Sequence, residues 1–305
     1  MLLTAPALVS AAELSTDARG AIPRDVQQLV VIDYRAMENS TSAMDLRERV
    51  MPPELKQFDD ALRKSGLNDN HDVDGLAFAL FRPSPSSDSL TTVGIAQGQF
   101  SVDDILAGFR KQKVKPIMVR ANSIYPMTKA GMVLCFVDPS TMVFGMKDAV
   151  IKALDARDGM APSLLSNSTL IDAMKSVDTA PLWSVLDSKG TETMMKQLLG
   201  EAGSVTDYDT VKKRLDASWY SMDFAHGVKL DLTISTGDSF AAATVSSLMT
   251  AAMMVKKMTS TDVEKQALNN TVISSSGGLL TVHFAASDDQ FSSLLQSPLF
   301  KSVVR

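Results

Sequence analysis

The sequence predicts an α+β fold made of two ferredoxin-like units, each a split βαβ arrangement with antiparallel or mixed sheets and helices packed on one face. Apolar runs of strand length alternate with helical patterns along the whole chain. The order of these elements repeats in looser form in the second half. Because 305 residues suffice for about two domains, we expect a pseudo-duplication. The first unit would cover residues 22–165 and the second 166–305, after a separate segment of residues 1–21.

The first unit is expected to begin with a strand over residues 28–34, which are rich in β-branched side chains. A helix should follow Pro52, because apolar residues recur there at near-helical spacing: Leu55, Phe58, Leu62 and Leu67. Ser101 can cap a second helix, and the acids after it favour the positive end of the helix dipole. Further strands are expected at residues 75–81, 92–100 and 116–125 and in the hairpin 131–145.

The second unit contains the clearest hairpin of the chain, with strands at residues 219–226 and 228–235 and Gly227 at the turn. Alternation places Val228, Leu230, Leu232 and Ile234 on one face, which predicts a half-buried strand. Asp238 and Ser239 should cap a long helix, whose buried stripe would be Ala241, Val245, Leu248, Ala252 and Val255. Other elements are expected at residues 182–186 (strand), 192–202 (helix), 279–284 (strand) and 290–300 (helix).

Composition excludes several classes of function. The formal charge of −5 comes without a basic stripe, so we expect no nucleic-acid partner, because phosphate binding needs clustered Lys and Arg. A single cysteine excludes an intramolecular disulfide framework and a cysteine-based zinc site. We also expect no transmembrane span, because no stretch approaches the roughly 18 apolar residues that a span requires.

The first residues suggest an exported protein. An apolar run ends in the small residues Ser10, Ala11 and Ala12, which fits the small-x-small pattern of a secretory cleavage site. No Lys or Arg precedes this run, and the run is short for a signal peptide. We expect a periplasmic or exported protein. A cytoplasmic protein with an N-terminal tail is the alternative.

The histidines provide little for catalysis. His71, His226 and His283 are the only three, and no two of them have the spacing of a local metal-ligand pair. A hydrolase with a dispersed site remains an alternative, using His226 with an acid such as Asp223 or Asp231. The residues Gly237-Asp238-Ser239 resemble the nucleophile block of GDS-type esterases, although they lie two-thirds along the chain and no DxxH motif exists. Helix capping explains these residues more simply.

The loop Asn70-His-Asp-Val-Asp-Gly75 is the best metal candidate. Its residues fit four EF-hand positions, but Phe81 occupies the position where a bidentate glutamate is needed. An acidic turn before a strand is the favoured interpretation. Cys135 lies in an apolar run, so we expect a buried thiol with a raised pKa and no catalytic role. We therefore assign no catalytic, cofactor-binding or metal-binding residue and predict no cofactor.

The chain contains many methionines, eighteen in all. Most should fill the core, but adaptable methionines can also line a binding groove. We consider a groove at the seam between the two units, lined partly by Met249, Met253 and Met258. Lys256 and Lys257 follow an apolar helix and mainly complement its dipole, although a membrane-surface helix would carry the same pair.

Several segments together resemble a loose group of uncharacterised bacterial proteins, common in phyla such as the acidobacteria. The segments are Ile22-Pro-Arg-Asp-Val26 before a strand ending in Asp33, Asp72-Val-Asp74, Gln97-Gly-Gln-Phe100, and Val143-Phe-Gly145 with Ala149-Val150. In that group an LPxDA…VxxVD opening precedes duplicated α+β units. The resemblance implies a fold and an exported location, and it transfers no functional residues.

These observations predict a non-catalytic bacterial envelope or exported protein that binds a partner protein or an apolar small molecule. Two alternatives stay open. One is the dispersed hydrolase, and the other is a carrier of lipids or other hydrophobic molecules that uses the seam between the units. The sequence leaves the ligand and the oligomeric state undetermined.

Overall fold

A single antiparallel sheet of twelve strands forms the centre of the molecule in the computed structural model, which describes residues 13–67, 72–82, 89–199, 212–298 and 300. The strands lie in the order β11-β12-β10-β9-β8-β1-β2-β3-β7-β6-β5-β4. Their bounds are β1 Val26–Asp33, β2 Val73–Phe81, β3 Thr91–Gly98, β4 Ile117–Val119, β5 Asn122–Pro126, β6 Met132–Asp138, β7 Thr141–Met146, β8 Leu182–Leu186, β9 Leu215–Asp223, β10 Val228–Thr236, β11 Thr271–Ser276 and β12 Leu279–Ala286.

Eleven α-helices are described in the same ranges. They are α1 Thr16–Gly20, α2 Tyr34–Met37, α3 Thr41–Val50, α4 Pro53–Lys64, α5 Val102–Lys111, α6 Lys147–Arg157, α7 Ser168–Met174, α8 Ser188–Leu199, α9 Ser239–Thr259, α10 Asp262–Asn269 and α11 Asp288–Leu295. Several of these helices have a short polar N-cap residue, whose side chain accepts a hydrogen bond from a backbone N–H of the first turn. These N-cap residues include Ser15, Ser40, Asn167, Asp238, Thr261 and Ser287. The mixed α+β prediction is confirmed, whereas the strand order differs from the expected one.

The strand order corrects the ferredoxin-like prediction. In a split βαβ unit, the two strands joined by a helix run parallel with another strand between them. Here β1 and β2 are joined by helices and pair directly with each other in antiparallel register, and β8 and β9 do the same. Five strands follow the same order in both halves. The order β1-β2-β3-β7-β6 in the first half corresponds to β8-β9-β10-β12-β11 in the second.

The two halves meet through their first strands. β1 pairs antiparallel with β8 from Gln28 opposite Leu186 to Ile32 opposite Leu182. The expected boundary at residue 165 lies between α6 and β8, and the first core cluster draws on residues from both sides of it. Leu29, Val31 and Ile95 of the first half pack there with Trp183 and Val185 of the second.

Helices cover both faces of the sheet in the first half, so the prediction of helices on one face is wrong there. Alternation along β6 separates the two layers: Val133 and Cys135 belong to one core cluster, and Met132 and Leu134 to another. We call these faces A and B, respectively. Helices α1, α6 and α7 contribute to the cluster on face A, and α4 and α5 to the cluster on face B.

The second half is covered mainly on face B. Helices α8, α9 and α11 pack there against even-numbered residues of β10 and β12. On face A, residues such as Lys229 and Asp231 are exposed. The predicted alternation along β10 is therefore confirmed. The predicted stripe of α9 is correct from Ala241 to Leu248 and wrong at Val255, whose side chain is 61% exposed.

Candidate binding site

An apolar hollow lies on face B of the first half, between α3 and α4 and the strands β2, β3 and β7. Its cavity volume is about 70 Å³, and the hollow is partly open to solvent. The lining residues are Tyr34, Arg47, Met51, Leu55, Phe58, Asp59, Leu62, Leu67, Val73, Leu76, Phe78, Ala96, Met142 and Phe144. Apart from Tyr34, Arg47 and Asp59, these side chains are apolar, so the hollow suits a ligand with a hydrocarbon or aromatic body.

Three phenylalanines form the floor of the hollow. Phe78 and Phe144 lie in register on either side of Gly94, and their rings meet edge to face with centroids 6.0 Å apart. Phe58 of α4 stacks on Phe144 at 4.8 Å. The absence of a side chain at Gly94 makes this arrangement possible, because a Cβ there would overlap the Phe144 ring.

Three side chains, Tyr34, Arg47 and Asp59, supply the polar groups of the lining. The Arg47 guanidinium lies 5.0 Å from the centre of the Tyr34 ring, and its Nη1 donates a hydrogen bond of 2.9 Å to the Tyr34 hydroxyl. Asp59 accepts a hydrogen bond of 3.2 Å from Arg63 Nε. A ligand in the hollow would thus meet the Arg47–Tyr34 pair, the Asp59 carboxylate and an otherwise apolar wall.

A second hollow, with a cavity volume of about 170 Å³, lies in the other half, between α10, α11 and β12. Its lining includes the polar side chains of Gln266, Asn270, Asp289 and Gln290. Gln290 already accepts the Ser287 N–H in the capping box that begins α11. Because Gln290 has this structural role, the stronger candidate is the first hollow, which we call the aromatic hollow after Phe58, Phe78 and Phe144.

The contacts of Asp231 differ from those considered for the alternative of a dispersed hydrolase. Asp231 contacts His283, not His226, with 2.7 Å between Oδ1 and Nδ1. Both side chains are about half exposed, on the uncovered face A of the second half. Ser221 lies opposite Asp231 on the other neighbouring strand, so the carboxylate lies between serine and imidazole, whereas a triad needs the imidazole in the middle. Asp223 accepts the Ala225 N–H at the hairpin turn.

The segment Gly237-Asp238-Ser239, which resembles the esterase nucleophile block, lies at the N-terminus of α9, where Asp238 is the N-cap residue, as predicted. Asp238 Oδ1 accepts the Ala241 N–H at 2.8 Å, and Oδ2 lies 2.7 Å from Arg214 Nη1. The Ala241 N–H and the Arg214 guanidinium hold the pKa of Asp238 below its usual value. Both carboxylate oxygens of Asp238 therefore have structural partners.

The metal candidate falls partly outside the described residues, which exclude Asn70 and His71. Within the described part, Asp74 forms an ion pair with Arg35 at 3.0 Å, and Phe81 is fully buried at the end of β2. Among the described residues, no group of three or more His, Cys, Asp or Glu side chains is placed to hold a metal ion. Cys135 is buried in β6, and burial raises the pKa of its thiol, as expected.

The three methionines proposed for the seam belong to α9, away from the β1–β8 pairing. Met249 packs against the third core cluster beside α8, and Met258 is 84% exposed. Helix α9 is also the one helix in the described ranges that is long and apolar enough to span a membrane. Only 28% of its most apolar stretch is buried. The first half of α9 nevertheless packs on the sheet, and this packing is consistent with the prediction of no transmembrane span.

Comparisons with known proteins yield a likeness of fold. No protein-family model matches the chain, and no curated protein matches it. Crystal form I of TP0453 aligns with 94% of this chain and 97% of its own, with 11% identity and a TM-score of 0.52. Crystal form III aligns with 92% and 98%, with 11% identity and a TM-score of 0.50. This chain is therefore similar to TP0453 in fold.

Proposed function

We propose that this protein is a non-catalytic binding protein, and that the aromatic hollow on face B of the first half takes an apolar small molecule. The observation that carries the proposal is the floor of Phe58, Phe78 and Phe144, which meet above Gly94 and leave an apolar space. The cavity volume of about 70 Å³ is below the roughly 300–1,000 Å³ of drug-sized sites, so a ligand would place one small apolar group in the hollow and extend from its open mouth.

The chemistry of the ligand follows from the lining. An apolar body would contact Leu55, Phe58 and Leu76, and a single hydrogen-bonding group would reach Arg47 and Tyr34. A non-catalytic role is supported because the lining lacks histidine, cysteine and serine. Of the titratable groups there, Arg47 and Asp59 already have polar partners.

Binding of N-phenyl-1-naphthylamine, an apolar probe that fluoresces in dry sites, tests the proposal. Leu55→Trp should fill the hollow from its half-buried rim and weaken binding about tenfold or more, equivalent to about 1.4 kcal/mol. The matched control is Leu106→Trp, because Leu106 packs against the same core cluster from α5 without lining the hollow. Equal affinities of the two variants would overturn the proposal.

We also propose that the protein is exported. The support is the small-residue run Ser10-Ala-Ala12, together with the burial of Leu14 in the core, because the ordered fold thus includes the chain just after the proposed cleavage point. Amino-terminal sequencing of the protein from its native host is the test. A mature chain beginning near Glu13 in the periplasmic or secreted fraction is expected, and an intact terminus in the cytoplasmic fraction would contradict it.

We further propose that the two halves arose by duplication of one five-strand plan. The support is the matching order of five strands and the position of the connecting helices: α4 and α5 in the first half, and α8 and α9 in the second, all pack on face B. An experimental structure tests this by superposition of the halves. Connecting helices on opposite faces would contradict a duplication.

A further inference from the structure

The second hollow, between α10, α11 and β12, has a lining in which apolar and polar side chains alternate with the turns of two helices. Val263, Ala267 and Asn270 line it at spacings of four and three, so one side of α10 forms one wall. The half-buried side chains of Phe284 in β12 and Leu294 in α11 supply apolar surface. The hollow is separate from the aromatic hollow, because the two share no lining residue.

Three polar side chains in this lining make no hydrogen bond or ion pair with another described residue. They are Gln266 and Asn270 of α10 and Asp289 of α11. All three are exposed, so they lie on the solvent side of the hollow. The neighbouring Asp288 differs, because its carboxylate accepts a hydrogen bond from the Ser42 hydroxyl. The Asp289 carboxylate and the two amides are therefore available to a ligand.

The charge of the second hollow favours a cation. Asp289 carries the single charge among the described residues of the lining. Asn270 is the C-cap residue of α10, so the negative end of this helix dipole also lies at the hollow. An anionic ligand would meet the Asp289 carboxylate without a basic side chain of the lining to offset it. The lining thus selects a positively charged ligand.

We infer that the second hollow binds a small primary amine, whose ammonium group contacts Asp289 and whose hydrocarbon chain lies against Phe284 and Leu294. An ammonium group has three N–H donors and no acceptor. The Asp289 carboxylate and the side-chain oxygens of Gln266 and Asn270 are acceptors for these donors. The aromatic ring and the leucine side chain take the hydrocarbon chain out of water, which favours binding.

The same oxygen atoms could contact a hard metal ion, but the lining fits an amine better. Calcium takes roughly six to eight oxygen ligands, with carboxylates prominent among them. Asp289 provides the one carboxylate among the described residues of the lining. The apolar side chains of Val263, Phe284 and Leu294 would gain nothing from a hydrated ion, whereas they bury the chain of an alkylamine.

The size of the hollow limits the ligand to a short chain. Its cavity volume of about 170 Å³ is below the roughly 300–1,000 Å³ of drug-sized sites. A ligand with few atoms has few contacts, so its affinity is low even when each contact is favourable. We therefore expect a short-chain alkylamine to bind with a dissociation constant on the order of millimolar.

Titration with n-butylamine at neutral pH, followed by backbone amide NMR spectra of the protein, tests the inference. The amide resonances of Asn270 and Asp289 should shift. Butan-1-ol, an uncharged molecule with the same chain, should bind about tenfold more weakly or less. Asp289→Asn should raise the dissociation constant of n-butylamine about tenfold or more. The matched control is Asp262→Asn, which removes a fully exposed charge of α10 outside the hollow and should leave this constant unchanged.

Three results would overturn the inference: no shift at the hollow with n-butylamine, equal dissociation constants for n-butylamine and butan-1-ol, or Asp289→Asn behaving like Asp262→Asn. The comparison of the two probes uses the wild-type protein, so it stays decisive if a variant fails to fold. Shifts of the same resonances with calcium chloride that n-butylamine does not reverse would assign the oxygens to a metal ion instead. Leu55→Trp should leave n-butylamine binding unchanged, so failure at one hollow is distinguishable from failure at the other.

Discussion

The two halves share a strand plan but differ in how much of the sheet they cover. In the first half, α1, α6 and α7 cover face A, and α4 and α5 cover face B. In the second half, β10, β11 and β12 have polar or exposed residues on face A, and α9 shows an apolar side to solvent. The first half thus covers both faces of its sheet with helices, whereas the second leaves one face and part of α9 exposed.

The largest effect is expected at the junction of the halves. Trp183 is 1% exposed and packs in the core cluster shared by both. Trp183→Ala should lower the free energy of unfolding by about 3–5 kcal/mol, because it leaves a large cavity. Urea denaturation followed by circular dichroism should show one transition, shifted as a whole. Two transitions, of which only one shifts, would mean that the halves unfold independently.

A smaller effect is expected from a glycine of the first half. Gly94→Ala places a Cβ against the Phe144 ring and should cost about 1–3 kcal/mol by overpacking. Gly237→Ala in the second half is the matched control, since no atom lies within 4 Å of its Cβ, and its effect should stay within about 0.5 kcal/mol. Equal losses in urea denaturation would contradict the enclosed packing assigned to the first half.

The polar contacts at the junction should contribute less. The Tyr220 hydroxyl hydrogen-bonds with Ser184 and Gln28, and burial raises its pKa. Tyr220→Phe should cost about 1 kcal/mol near neutral pH, because Ser184 and Gln28 lose a partner.

The same variant makes a prediction about alkaline pH. A pKa raised by folding contributes stability that is complete below the ordinary tyrosine value of about 10 and is lost as pH rises through the folded value. Wild type should therefore lose more stability than Tyr220→Phe in urea titrations at increasing alkaline pH. Parallel pH profiles would contradict a buried phenol.

The smallest effect on stability is expected from the N-cap residue of α9, Asp238. The pKa of Asp238 is lowered, first by the Ala241 N–H and then by Arg214. Such a carboxylate stabilises the fold above its ordinary pKa, and this contribution is lost as pH falls through the folded value. Asp238→Ala should lower the Tm slightly at pH 7, and calorimetry should show the difference vanish in acid. A difference independent of pH would exclude the ionised cap.

Local chemistry explains which elements the sequence predicts well. The hairpin around Gly227 is correct because this residue adopts a φ of 79°, which glycine tolerates. The sequence predicts one strand over residues 116–125, whereas two strands, β4 and β5, turn at Arg120 with a φ of 54°. Because Arg120 is not one of the residue types that usually mark a turn, the sequence does not indicate a turn there. β11 escapes prediction because its second half is three serines, although Gly277-Gly278 marks the hairpin turn after it.

The aromatic hollow shows where sequence reasoning ends. The spacing of Phe58 and Leu62 predicts a helix with an apolar side, and α4 confirms it. The spacing does not predict that Phe78 and Phe144, far apart in the chain, lie on either side of Gly94. That contact depends on the pairing of β3 with both β2 and β7. Pairing between distant strands follows from the whole sheet, which no local pattern encodes.

The pairing of β1 with β8 also has a consequence for synthesis of the chain. The ribosome completes residues 22–165 before it reaches Leu182–Leu186, the strand that covers the free side of β1. At typical translation rates, the edge of β1 stays uncovered on the order of seconds. Trp183 is also absent from the shared core during that interval. A first half that folds before β8 is complete would therefore pass through a stage with an open strand edge, at which other strands could pair with it.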